Sequence, residues 1–387
     1  MSWGYARGWI GYGEGGVCVP SEWTSRETIS ETLEELREQI DAIDERLIAL
    51  VNERAECALK IGRVKQAARE AAPFYQPARE AQVLRRVIAR NGGPIADEAM
   101  ARLFREVMSV CLALERVMRI AYLGPAGTFT QAAALKHFGH SVQTVPLSAI
   151  DEVFREVEAG SCDYGLVPVE NSTEGVVNHT LDMFVSSPLK ICGEVALRIH
   201  QNLAGNVQAL EDVRAVYSHQ QSLAQCREWL DANLPEVARH PVPSNAEAAR
   251  RAATEPGAVA ICGGTAAELY GLRLLEVNIE DEPDNTTRFL IVGQQSTPAS
   301  GDDKTSLLVS ARNRPGALHD LLSPLARHGV DMTRIESRPS RRGLWEYVFF
   351  VDFNGHADDP RVARALNELA QEAALFKVLG SYPRAVL

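Results

Sequence analysis

The chain has 387 residues, 45% of them hydrophobic and 24% charged, which is the balance of a globular protein too long for one ordinary core. Its net charge of −11 argues against nucleic acid or an anionic membrane as partner, so the cations that hold any anionic substrate must be local. Seven scattered cysteines without a CxxC or His-Cys cluster read as reduced cytosolic thiols and argue against a metal site. No apolar run is long enough to span a bilayer. Residues 1–29, rich in Gly and Trp, lack the basic start and apolar core of a signal peptide and read as a disordered or upstream extension with no function assigned.

From Glu31 a helical pattern runs for about forty residues, with Leu33, Leu36, Ile40, Ile43, Leu47 and Leu50 stepping by three and four in a heptad seam. Arg54 takes the next seam position, where an unpaired charge would be costly. Lys65 shares its face about three turns on, and Arg37 flanks the other end, roughly 25 Å away along the axis. Arg37 and Arg54 cannot clamp one small anion from the same helix, so if both touch ligand, Arg37 comes from a second chain. A second helix opens at Pro77 and stops at "NGGP". A third, from about Ile95 to Val117, places Met100, Leu103, Phe104, Val107, Cys111 and Leu114 inside. Arg37, Arg54, Lys65, Arg79, Glu80 and Glu115 thus lie on or beside faces that should be apolar, which suggests a polar pocket in a helical bundle as well as ordinary salt bridges.

The strings "LREQIDAIDERLIALVNERAECALKIGRVK" and "FYQPARE" closely resemble the all-helical chorismate mutases, three-helix intertwined dimers. The resemblance, over about Leu33 to Met118 (domain 30–118), implies that Arg37 from a second chain and Arg54 hold two substrate carboxylates. It implies that Lys65 and Glu115 donate to the ether oxygen, that Glu80 accepts from the ring hydroxyl, that Arg79 supports the site and that Cys111 lines it. Gln76, also implied as a substrate contact, stands where some members carry Asp; Glu115 replaces a Gln found in others. A carboxylate cannot donate a hydrogen bond, so Glu115 is expected to work protonated.

After Arg119 the period changes to short strand, small-residue turn and helix, in "RIAYLGPAGTFTQAAALKHFG", "YGLVPVENSTEGVVNHTLDMF", "AVYSHQQSLAQCREWL" and "AVAICGGTAAELYGL". This alternation predicts a mostly parallel α/β sheet with helix N-termini around an anion-binding cleft. No GxGxxG or GxxxxGK[ST] occurs at these junctions, which disfavours nucleotide.

"GPAGTFT", "VPVENSTEGVVNHT", "SHQQSLAQC" and "NTTRF" together look like a prephenate dehydratase domain, 119–294, built as two lobes around a cleft in the manner of periplasmic binding proteins. The resemblance makes Thr287 the essential threonine, with Arg288 and Phe289 beside it. We assign Thr287 hydrogen-bond donation to the departing hydroxyl. Glu170, Asn171, Ser172 and Thr173 form the second junction and are expected to bind substrate, the Asn and the hydroxyls as carboxylate partners, with Thr128, Ser218 and His219 as further candidates. Residues 294–306 read as a linker. The remainder, 304–387, has the βαββαβ order, and "RPGALHDLL" and "IESRPS" resemble the ACT regulatory domain. That match implies an L-phenylalanine site at a subunit interface from Asn313, Gly316, Ala317, Leu318, Glu336, Ser337 and Arg338.

The resemblances together imply a bifunctional enzyme that converts chorismate to prephenate and then to phenylpyruvate, inhibited by L-phenylalanine, without metal or organic cofactor. A mutase fused to an arogenate dehydratase, or to a non-catalytic sensing domain, is the alternative.

Overall fold

The computed structural model describes residues 32–67, 75–311, 314–339 and 347–386; the N-terminal extension and Asn313 lie outside them. The chain divides into two compact units, Met1–Arg54 and Ala55–Leu387. In the first, helix α1 (Leu33–Ala67) opens with a reciprocal cap. The Thr32 hydroxyl accepts from the Glu35 amide at 3.2 Å, and the Glu35 carboxylate accepts from the Thr32 amide at 2.6 Å. The seam from Leu33 to Leu50 is present but exposed, Ile40 at 57% and Leu47 at 52%.

In the second unit, α2 (Pro77–Arg90) and α3 (Asp97–Ala113) pack on each other. The expected inner face of α3 is corrected in part: Cys111 is buried as expected, but Leu103, Phe104 and Leu114 are exposed, and Ala101, Arg105, Met108 and Ser109 are buried instead. The reason is that α3 turns this side toward the α/β region. There the Ser109 hydroxyl accepts from the Ser141 amide at 3.2 Å and the Glu106 carboxylate accepts from the His140 amide at 3.1 Å.

The α/β region runs β1 (Arg119–Leu123), α4 (Phe129–Phe138), β2 (Gln143–Leu147), α5 (Ile150–Glu158), β3 (Tyr164–Asn171), β4 (Gly175–Val176), α6 (Asn178–Ser186) and β5 (Lys190–Arg198). It then enters a second sheet through β6 (Asn202–Gly205), β7 (Ala215–His219), α7 (Gln220–Gln225), α8 (Arg227–Asn233), β8 (Ala238–Val242), α9 (Asn245–Ala252), β9 (Ala258–Cys262), α10 (Gly264–Leu269) and β10 (Arg273–Glu276). β11 (Thr286–Gly293) returns to the first sheet. The orders are β2-β1-β3-β11-β5, with β4 on β3, and β10-β6-β9-β7-β8.

The sheets are mixed rather than mostly parallel. β1 runs parallel to β2 and β3, and β7 to β8 and β9, but β11 is antiparallel to both neighbours, as β6 is to β9 and β10. A strand arriving from the other sheet has no crossover helix to bring it round to the parallel direction. Along β11 the side chains alternate. Phe289 and Ile291 join the cluster with Ala133 and Phe138 of α4, whereas Leu290 and Val292 join the cluster with Val153 and Phe154 of α5.

The C-terminal region follows the expected order in β12 (Asp303–Ser310), α11 (Ala317–Arg327), β13 (Met332–Pro339), β14 (Tyr347–Asn354), α12 (Pro360–Glu372) and β15 (Leu375–Pro383), an antiparallel sheet β13-β14-β12-β15. Leu308, Phe350 and Leu379 belong to the same core cluster as Val167, Val169 and Leu290, so one apolar core joins this sheet to the first. β15 approaches β5 so closely that a Cβ at Gly380 would lie 2.1 Å from the Ile191 carbonyl oxygen. The expected linker is a packed strap. Thr297 and Ser300 are buried, and the Ser300 hydroxyl donates to Asp303 at 2.6 Å.

Candidate active site

A cleft of about 400 Å³ opens between the two sheets. The strand–helix junctions line it: Thr128 before α4, Val177 before α6, His219 before α7 and Ser244 before α9. Three of these were expected. The fourth quoted junction, leading into α10, does not line the cleft; α9 takes its place. Lysine and arginine are absent from the lining among the described residues, and Glu174 is its one carboxylate. An anion there would meet helix N-terminal N–H groups, amides and hydroxyls.

Thr287 and Phe289 face this cleft from β11. Asn171, at the end of the adjacent β3, donates from Nδ2 to the Thr287 hydroxyl oxygen at 2.8 Å and to Asn285 Oδ1 at 2.8 Å. Its own Oδ1 accepts from the amides of Thr173 and Glu174 at 3.0 and 2.9 Å, which fixes the carboxamide orientation. Asn285 passes the chain on, donating to Gln225 at 3.2 Å. Because the Thr287 oxygen already accepts, its own hydrogen is left to donate into the cleft.

Several expected contacts lie elsewhere. Arg288 points to the opposite face of β11, where it meets Glu194 at 2.9 Å and Asp352 at 2.7 Å. Glu170 likewise faces the C-terminal sheet and pairs with Arg334 at 3.0 Å. Both corrections follow from two-residue alternation: one step from Thr287 or Asn171 is the other face. Ser218 is fully buried, its hydroxyl donating to the Ile261 carbonyl at 2.8 Å, because β7 turns it into the sheet interior. Ser172 stitches the β3 end to β11, accepting from the Thr286 amide at 2.9 Å. Neither Ser172 nor Thr173 lines the cleft. The structure adds Gln201, Ser222, Gln225, Asn245 and Asn285. Asn285 was legible as two residues before Thr287; Gln225, three residues after Ser222, needed the helix face to be known.

Of the helical candidates, Arg37 is exposed and Arg54 half-buried in the first unit. In the second, Glu115 packs against Gly62 of α1, where an added Cβ would lie 3.0 Å from the carboxylate, and Lys65 is half-buried one turn further on. Cys111 is buried, Gln76 half-buried and Arg79 exposed. Glu80 accepts from Arg105 at 3.2 Å, and Arg105 also donates to the His137 carbonyl oxygen of α4. A buried guanidinium needs a carboxylate, and Glu80 is the one α2 offers.

In the C-terminal region Gly316, at φ 78°, precedes α11, whose first residues are Ala317 and Leu318. Glu336, Ser337 and Arg338 lie on the edge strand β13. Arg338 pairs with Asp182 at 2.8 Å and donates to Asn178, both on α6.

Family models match the chain in three blocks: chorismate mutase type II over 36–116, prephenate dehydratase over 120–297 and ACT domain over 305–371. A bifunctional chorismate mutase/prephenate dehydratase of Stutzerimonas stutzeri is 57% identical over 92% of this chain and 99% of its own length. The chain belongs to the bifunctional chorismate mutase/prephenate dehydratases. The prephenate dehydratase of Arthrobacter aurescens, solved in complex with L-Phe, is 37% identical with a TM-score of 0.64, over 69% of this chain and 90% of that one. A structure described as a novel type of quorum quenching acylase is 31% identical at the same TM-score, over 69% of this chain and 98% of that one. In the dehydratase block of this family member, the pairing of β3 with β11 in the first sheet brings Asn171 and Thr287 together at the cleft.

Proposed function

We propose that the α1–α3 region rearranges chorismate to prephenate, and that the two-sheet cleft decarboxylates and dehydrates prephenate to phenylpyruvate for L-phenylalanine synthesis. For the mutase, Arg54 and a second chain's Arg37 hold the two carboxylates in the folded conformer, while Lys65 and a protonated Glu115 donate to the ether oxygen as its C–O bond breaks. Orientation of this kind supplies up to roughly 7–11 kcal/mol. The exposed α1 seam supports an intertwined dimer, in which a second copy covers it.

In the dehydratase step the bond from the ring to its carboxylate breaks, its electron pair enters the ring and CO2 leaves. The ring expels the C4 hydroxyl as aromaticity forms. Thr287 donates a hydrogen bond to that oxygen, and a proton from solvent completes the water. Threonine is a poor Brønsted acid, and the aromatic product supplies the drive, so one oriented donor is sufficient assistance. The observation that carries this reading is the Asn171–Thr287 bond at the cleft, in which the threonine oxygen accepts and its own hydrogen remains free to donate to a ligand. Two sheets closing on one cleft also support the likeness to periplasmic binding proteins, and the ACT block supports L-phenylalanine as effector.

The test supplies purified protein with chorismate and follows prephenate and phenylpyruvate separately, with and without L-phenylalanine. Thr287→Ala should let prephenate accumulate, with dehydratase kcat reduced by about 10²–10³, the usual cost of one such donor. Phenylpyruvate formation by Thr287→Ala at the wild-type rate would refute the assignment.

A further inference from the structure

Thr287 and Arg288 are consecutive on β11 and face opposite sides of the first sheet. Behind the sheet, the Arg288 guanidinium is held on three sides. Nε donates to Glu194 of β5 at 2.9 Å, Nη1 to Asp352 of β14 at 2.7 Å and Nη2 to the Tyr382 hydroxyl of β15 at 3.1 Å. Asp352 is itself aligned by the Ser306 hydroxyl at 2.5 Å, and Lys304 completes the cluster on Glu194 at 2.8 Å. Two cations face two carboxylates, and Glu194, Asp352, Ser306 and Tyr382 are all buried. This is the arrangement that makes a desolvated ion cluster rigid, because each charge is paired and hydrogen-bonded.

The backbone gives a reason for such a clamp. The β11–β3 register slips between Arg288 and Phe289, immediately beside Thr287. The slip skips Val169 of β3, so at this step β11 is held in regular register by β5 on one side and irregularly by β3 on the other. The guanidinium anchors that irregular step from behind. Two of its three partners come from the C-terminal sheet.

We propose that Asp352, on β14 of the C-terminal sheet, is a positioning residue for the dehydratase reaction, acting through Arg288 on the cleft-facing Thr287. The inference rests on the reading of Thr287 given above. Asp352 touches no substrate; it sets where the Thr287 hydroxyl stands, and a misplacement on the order of 1 Å can cost about 10²-fold in rate.

The experiment uses full-length Asp352→Asn, Ser306→Ala and Thr287→Ala. Dehydratase kcat and KM for prephenate are measured beside mutase activity on chorismate in the same preparations. Asp352→Asn should lower dehydratase kcat roughly tenfold with KM within about twofold and mutase activity unchanged. Ser306→Ala, which loosens Asp352 and its neighbour Tyr382 without removing a charge, should lower kcat in the same direction by about threefold. A kcat within about twofold of wild type in Asp352→Asn overturns the proposal, as does a rise in KM at constant kcat. If Asp352→Asn loses both activities through misfolding, Ser306→Ala decides, and an unchanged kcat there overturns it. Wild-type turnover by Thr287→Ala would instead overturn the reading of Thr287; loss in Thr287→Ala with full kcat in Asp352→Asn overturns the positioning role alone.

Discussion

At the residue scale, small steps in sequence separate unlike roles. Thr287 and Arg288 are adjacent in "NTTRF", yet one faces the cleft and the other a buried ion cluster. The motif was legible; the division within it follows from strand alternation and becomes visible once β11 is known to be a strand with both faces covered. Burial works to lower the Arg288 pKa, and Tyr382, Asp352 and Glu194 outweigh it, so the guanidinium stays charged. Gly62 makes a second case. It is buried against the Glu115 carboxylate, 3.0 Å from where a Cβ would stand. Gly62→Ala should gain helix propensity of about 1 kcal/mol and yet lower mutase turnover, because the methyl displaces Glu115. Thermal unfolding and chorismate consumption, measured on the same variant, check the two directions. Undiminished mutase activity would mean that the Glu115 position is not critical.

At the element scale, α2 is a bridge. Its preceding residue pair places Tyr75 against His137, Phe138 and Tyr164, with the Tyr75 hydroxyl 2.9 Å from His137 Nε2. Further along, Arg85 donates to the Ser300 hydroxyl at 3.1 Å and the Asp302 carbonyl at 2.7 Å. The sequence marked this helix by Pro77 and its apolar face, but nothing local says that Glu80 will meet Arg105 from α3. Burial first, and the Arg105 charge second, hold the His137 imidazole well below its ordinary value. The unfolded chain therefore binds a proton on this residue near the ordinary value of about 6.5, where the folded chain does not. Stability from this contact is present above about pH 6.5 and is lost as pH falls below it. The unfolding midpoint should drop between pH 7.5 and 5.5, and His137→Gln should make that drop shallower; parallel slopes in the two proteins would show that His137 is not the titrating group.

At the scale of the whole molecule, the apolar seam of α1 and the exposed Leu103, Val110 and Leu114 of α3 are more apolar surface than water tolerates singly. In the dimer proposed above, a second copy would cover them and also bring Arg37, although each chain carries a net charge of −11. Ile43→Glu on the exposed seam should cost mutase activity at least about tenfold, the factor for 1.36 kcal/mol of lost transition-state stabilisation. Dehydratase turnover should persist, since its cleft is built within the second unit. Sedimentation of wild type and variant tests the premise: a seam that leaves association and mutase rate unchanged when charged is not an interface.

The βαββαβ order of the C-terminal region, the seam with its misplaced cations, three of the junctions around the cleft and the "NTTRF" string were determined by sequence alone, because periodicity and turn chemistry act over a few residues. Tertiary structure decided the antiparallel entry of β11, the pairing of Glu80 with Arg105, the burial of Ser218 and the turning of Glu170 and Arg288 toward the C-terminal sheet. Local periodicity says which side chains share a face. What that face meets depends on residues far away in the chain, Asp352 for Arg288 and Arg334 for Glu170, and their meeting is set by how sheets and helices stack.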